Sequence, residues 1–142
     1  MRPVTATGTC EPNGGTALRE RIRGGLAAPA IARELVTRIL ARATREETLR
    51  DALLLTTELV TNAVRHAHVD EQGTIELSAV AEAGVVRIAV TDPGGATSPR
   101  MQELDIDVPG GMGLFLVDQI SSRWAAERRD GGAMRVWFEL AA

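Results

Sequence analysis

The sequence predicts an α+β fold: a two-layer sandwich in which a mixed, mostly antiparallel sheet is covered on one face by about three helices. Three observations carry that expectation. Two long segments, opening at Pro29 and at Thr44, repeat apolar residues at helical spacing. Two pairs of β-prone runs, Thr74 to Val80 with Val85 to Thr91 and Trp124 to Arg129 with Met134 to Leu140, are each joined by a short turn-forming link. The order that results is strand, two helices, hairpin, long loop, helix, hairpin.

Each element has its own local reason. Residues 1–16 are rich in Thr, Gly and Pro with little to bury, and read as a disordered arm. Leu18 to Arg23 alternates apolar and charged residues weakly and suits an edge strand, broken by Gly24 and Gly25. Pro29 fits a first helical turn, and Ile31, Leu35 and Ile39 form an apolar stripe that ends near Arg42. Thr44 with Glu47 reads as a capping box that opens a helix through Leu49, Leu53, Leu59, Val60 and Val64 to about Ala67. The first hairpin turns over Ala-Glu-Ala-Gly, residues 81–84. Residues 93–110, with Pro93, Gly94, Gly95, Pro99, Pro109 and Gly110, form a long loop of the kind that usually acts as a lid or binding loop. Gly111 to Ile120 restarts as a helix, and Asp130-Gly131-Gly132 turns the second hairpin. The expected organisation is therefore an arm over 1–16 and a single domain over 17–142, with a lid at 93–110.

Composition removes whole chemistries. All 16 basic residues are Arg. Without lysine there is no Walker-A phosphate loop, no strand lysine of the common protein-kinase fold and no Schiff base. The lone Cys10 excludes an internal disulfide and a multi-cysteine zinc site, and the two histidines, His66 and His68, exclude a three-histidine zinc centre. A net charge of −3 runs against a phosphate-neutralising nucleic-acid binder. No apolar run approaches the roughly 18 residues of a membrane span, and the first residues lack the apolar middle of a signal peptide, so a cytoplasmic protein is expected.

The second helix carries the first candidate site. At 100° per residue, Glu58, Asn62 and Arg65 fall within about 60° of one another and His66 about 40° further round. Apolar residues flank this wedge on both sides, so the helix should be buried and its polar wedge satisfied by partners, water or a ligand. Carboxylate, amide and imidazole at this spacing suit a hydrated divalent cation and an activated nucleophile, while a wedge facing solvent fits the helix equally well. Asp92 ends an apolar strand before Pro-Gly-Gly, a pattern that admits close approach of a ligand and is also an ordinary turn. Gly110-Gly111-Met112-Gly113 opens a helix, leaving N–H groups for an anion or marking a plain loop-to-helix junction.

Taken together and in order, Glu58-Leu-Val-Thr-Asn-Ala-Val-Arg-His66, Val90-Thr-Asp-Pro-Gly-Gly95, Gly110-Gly-Met-Gly-Leu-Phe-Leu-Val-Asp118 and Val136-Trp-Phe-Glu-Leu140 form a specific joint pattern. The chain resembles, over about residues 17–140, the GHKL (Bergerat) ATP-binding fold of gyrase-type, chaperone, histidine-kinase and mismatch-repair ATPases. Within it the chain looks most like the anti-sigma factor serine/threonine kinases. That resemblance implies that Asn62 coordinates Mg²⁺ bridging the ATP phosphates and that Glu58 is the base taking a proton from the attacking hydroxyl. It implies that Asp92 accepts a hydrogen bond from the adenine amino group, with Gly94 and Gly95 making room for the ring. Gly111 and Gly113, with the N–H groups around Met112 and Leu114, are implied to hold the phosphates, and Arg65 and His66 either contact phosphate or order the face. The box departs from the usual Asp-x-Gly-x-Gly at Ala96, and Ala133, Met134 and Arg135 stand where a threonine often supports adenine recognition.

The function so implied is an ATP- and Mg²⁺-dependent serine kinase and anti-sigma factor, whose partners are an anti-sigma factor antagonist and a sigma factor, and which can pair as a homodimer. A second reading is an ATP- or ADP-binding interaction module without phosphotransfer; a third is a structural α+β domain without ligand. Any direct cationic contact to phosphate must come from arginine, with Arg65 and Arg100 the first candidates.

Overall fold

In the computed structural model, which describes residues 9–10, 16–67, 69, 72–94 and 113–142, six strands pair in the order β1-β2-β3-β4-β6-β5. The strands are β1 (Thr9–Cys10), β2 (Thr16–Arg23), β3 (Thr74–Glu82), β4 (Val85–Asp92), β5 (Arg123–Arg128) and β6 (Met134–Ala141). The helices are α1 (Ala28–Leu40), α2 (Glu46–His66) and α3 (Gly113–Ile120). The predicted α+β sandwich is the observed fold, and every described pairing in its sheet is antiparallel. The topology explains why no parallel pair remains. The α1–α2 pair returns the chain antiparallel from β2 to β3, and β6 inserts between β4 and β5, the two strands that run in the same direction.

Alternation along the strands sends one face to the helices. Leu18, Ile22, Ile75, Leu77, Ala79, Val86, Ile88, Val90, Val136, Phe138 and Leu140 are buried in one core under α1, α2 and α3. The other face carries Arg19, Arg87, Arg123, Arg135, Glu76 and Glu139, tied by ion pairs that include Glu139 between Arg87 and Arg123 at 3.0 Å each. Trp137 lies on that face yet is only 8 % exposed, because the Arg87 guanidinium covers its ring at 4.2 Å.

Local expectations change in four places. Helix α1 turns Ala28, Ala32, Leu35, Val36 and Leu40 inward; of the expected stripe Leu35 is buried and Ile39 packs partly against the core, while Ile31 is 38 % exposed. Small alanines bring the helix close to the sheet and leave the bulkier isoleucines at its flank. The capping box does not form. The Thr44 hydroxyl donates back to the Leu40 carbonyl at 3.1 Å, Arg45 is the N-cap, and Glu46 and Glu47 supply the negative charge of the first turn of α2. The β3–β4 link is a two-residue turn, Ala83 and Gly84 with φ of 51° and 77°, so the strands reach Glu82 and Asp92. Finally, Thr9–Cys10 pairs with Thr16 and Ala17, so the segment over 1–16 contributes to the sheet; pairing there satisfies backbone groups that composition alone left unassigned. The rest of that arm, and all of the expected lid except Pro93 and Gly94, lie outside the described residues. No helix among the described residues is long and apolar enough to cross a membrane.

Candidate functional site

The C-terminal half of α2 lies over β4 and β6 and beside α3, because Leu55, Leu59, Val60 and Ala63 are buried on its sheet-facing side. That packing pulls Asn62 inside as well: it is 6 % exposed. At the end of β4 the in/out alternation of Val86, Ile88 and Val90 continues to Asp92, which is 7 % exposed on the same face of the sheet. Between them is a small recess of about 10 Å³, room for about one water, lined by Leu59, Asn62, Ala63, His66, Val90, Asp92, Leu114 and Val136. Five apolar residues and three polar groups, Asn62, His66 and Asp92, line it.

The polar groups have different environments. The Asn62 amide makes no hydrogen bond with any described residue, although its residue is buried. The Asp92 Oδ1 accepts the Gly94 N–H at 2.7 Å. Burial pushes the Asp92 carboxyl above the usual carboxylate range; the Gly94 N–H, the His66 charge, the Met134 N–H and the Arg128 charge pull it part of the way back. Glu58, one turn before Asn62, also sits above the usual range, through burial.

The structure therefore brings Asn62, His66, Asp92 and Leu114 together around one recess. Glu58 is half-buried on the same helix outside the lining, and Arg65 is exposed. Gly94 has φ of +92°, and the space a Cβ would take is filled by the Gly132 carbonyl group of the β5–β6 turn. Its lack of a side chain is used by protein backbone as well as by the turn. Gly113 begins α3, while Gly95, Gly111 and Met112 lie outside the described residues. Among the described residues no group of three or more His, Cys, Asp or Glu could hold a metal ion, so a cation here needs oxygens from a ligand beside any from Asn62.

Four lining residues, Leu59, Ala63, Val90 and Val136, stand inside the motif stretches but carried no site role there. Two were within reach, since Leu59, Asn62, Ala63 and His66 are an i, i+3, i+4, i+7 set on one helix face. Val136 enters through its register opposite Val90, which no local signal announces. Met134 pairs with Asp92, occupying the position beside the carboxylate, while Arg135 points to the other face and pairs with Glu127.

The model of a family described as histidine kinase-like ATPase domain matches residues 25–139. Twelve solved chains are similar in structure, among them the crystal structure of the RsbU and RsbW domains of Rv1364c from Mycobacterium tuberculosis. That one has a TM-score of 0.61 at 20% sequence identity, covering 87% of this chain and 32% of that chain. The present chain thus spans about a third of that protein's chain, and the likeness is one of fold. No curated protein matches.

Proposed function

The chain belongs to the histidine kinase-like ATPase domain family, and from that premise we propose that it is an ATP- and Mg²⁺-dependent serine/threonine kinase of the anti-sigma factor type. On this reading it phosphorylates an anti-sigma factor antagonist and also binds a sigma factor. One observation supports the nucleotide site above all: the buried Asn62 amide lines the recess and has no protein partner among the described residues. With no described residue holding it and its atoms not fully enclosed, that amide is open to a ligand entering the recess.

The residues divide the work. Leu59, Ala63, Val90, Leu114 and Val136 enclose the adenine ring, and Asp92 accepts its amino group. The Asn62 amide oxygen fits one position of a hard, oxygen-seeking cation. When bound, Mg²⁺ would neutralise charge on the phosphates. Glu58, its proton affinity raised by burial, accepts the proton of the attacking hydroxyl. Gly113 and Leu114 supply N–H groups at the start of α3, the family resemblance extends that role to Gly111 and Met112, and Arg65 supplies positive charge at the last turn of α2 next to His66.

The test has two stages. Calorimetric titration with ADP and ATP, with and without Mg²⁺, should give Mg²⁺-dependent binding; none at millimolar nucleotide overturns the reading. Incubation with labelled ATP and candidate antagonists should then yield phosphoserine or phosphothreonine, whereas binding without transfer leaves a nucleotide-dependent interaction module.

A further inference from the structure

The row of residues that crosses the sheet at Asp92 continues one strand further than the recess. Asp92 on β4 pairs with Met134 on β6, and Met134 pairs with Arg128 on β5. Side chains directly opposite one another in a sheet project from the same face, so Asp92, Met134 and Arg128 all lie on the helix-covered side. Trp124 confirms the facing of β5: four residues before Arg128, it packs on the core and donates its Nε1–H to Asp118 of α3 at 2.9 Å. Arg128 stands two strand spacings from Asp92, about 10 Å between backbones, a gap that a long side chain largely covers. Its positive charge is felt at the Asp92 carboxylate, after the effects of burial, Gly94, His66 and Met134.

Around this end of the recess, Ala126, Met134, Val136 and Val90 offer no side-chain N–H, and the side-chain donors of the lining, Asn62 and His66, both come from α2 and not from the sheet. Asp92 as a carboxylate only accepts hydrogen bonds. A purine with an exocyclic amine also presents ring-nitrogen acceptors on the same edge, and these need a donor. The planar guanidinium of arginine both stacks on aromatic rings and donates in a fixed fork.

We propose that Arg128 is a ligand-contacting residue, extending the Asp92–Met134 row into a donor that meets the base of a bound adenine nucleotide. This rests on the nucleotide site assigned above. Asp92 takes the amine, and Arg128 closes the outer side of the ring from the edge strand, where nothing in the motifs of the chain announces it.

The experiment compares binding of adenosine, ADP and pyrophosphate to the wild-type protein and to Arg128→Ala and Arg128→Lys, at constant ionic strength. Melting temperatures of the wild type and both variants are recorded alongside, so that a change in stability is told apart from the loss of a ligand contact. A base contact predicts that Arg128→Ala weakens adenosine and ADP alike, roughly tenfold, and leaves pyrophosphate unchanged. Arg128→Lys should recover part of the loss at most. A loss confined to ADP and pyrophosphate shows a long-range field on phosphate and overturns the proposal, as does unchanged adenosine binding. Failure of the wild-type protein to bind either adenosine or ADP is a different result, which overturns the nucleotide site itself.

Discussion

Substituting Gly94 by alanine should unlock the base end of the recess. At φ of +92° an L-residue is strained by about 1–2 kcal/mol. A Cβ there would also lie 2.8 Å from the Gly132 carbonyl carbon and closer still to its oxygen, so the β5–β6 turn or the end of β4 must move by more than half an ångström. Overpacking of this kind costs about 1–3 kcal/mol, giving about 2–5 kcal/mol in all. For a chain of this length that is a fall of roughly 7–17 °C in melting temperature. Gly84→Ala is the matched control, with φ of +77° and nothing within 4 Å of the added carbon. It carries the conformational term alone, about 1–2 kcal/mol or roughly 3–7 °C. Thermal unfolding of both variants, with ADP titration of each, checks the reasoning. Gly94→Ala should also lose ADP affinity, because the 2.7 Å bond from its N–H to Asp92 depends on the same turn, whereas Gly84→Ala should not. If the two variants melt within about 2 °C of each other and bind ADP equally, the close approach of Gly94 and Gly132 does not hold the site.

Asn62→Leu is expected to abolish Mg²⁺-nucleotide binding while the ligand-free protein melts close to wild type, since the amide has no hydrogen bond to a described residue to lose; a clear drop in melting temperature contradicts this. Glu58→Gln should keep nucleotide affinity within about twofold and slow phosphotransfer by about 10²–10⁴-fold, and an equal loss of both would remove Glu58 from the role of base. Both Glu58 and Asp92 hold protons more tightly in the fold than in the unfolded chain. Their contribution is therefore fully present below the unfolded-chain values of 4.5 and 3.8, and it is lost as pH rises through the raised native values. Urea midpoints should show wild type losing ground to the Glu58→Gln/Asp92→Asn variant over that rise; a difference constant with pH counts against it. Phe138→Ala, which empties a fully buried position in the core, should cost about 3–5 kcal/mol, roughly 10–17 °C, and a loss below about 1 kcal/mol would mean that the core is not packed as described.

The elements were legible where a local period or a turn residue marks them. Both hairpins, the α2 helix and the facing of Met134, Val136, Phe138 and Leu140 follow from alternation and Gly-rich links. Helix α1 shows where this fails: Ile31 and Ile39 are the more apolar residues, yet Ala28 and Ala32 face the sheet, because closeness of packing outweighs hydrophobicity per residue. Thr44 and Glu47 have the spacing of a cap, but Thr44 still belongs to the last turn after α1, where its hydroxyl and N–H both reach the Leu40 carbonyl. In the recess, Asn62, His66, Asp92 and Leu114 were visible as residue types in order. The apolar walls were not, since Leu59, Ala63, Val90 and Val136 look like any other core residues.

By itself the sequence determined the chemistry on offer: arginine as the sole basic residue besides histidine, a polar wedge on an otherwise apolar helix, and an aspartate closing a strand before Pro-Gly-Gly. Those follow from composition and from backbone periods that repeat every two or 3.6 residues. Tertiary structure alone decided that Val136 faces Val90, that Gly132 presses on Gly94, and that Arg128 falls in line with Asp92. Strand register is fixed by how distant segments share one core. A slip of one residue would turn Arg128 to the opposite face, so its place in the row of Asp92 and Met134 is a property of the packed sheet and of no local segment.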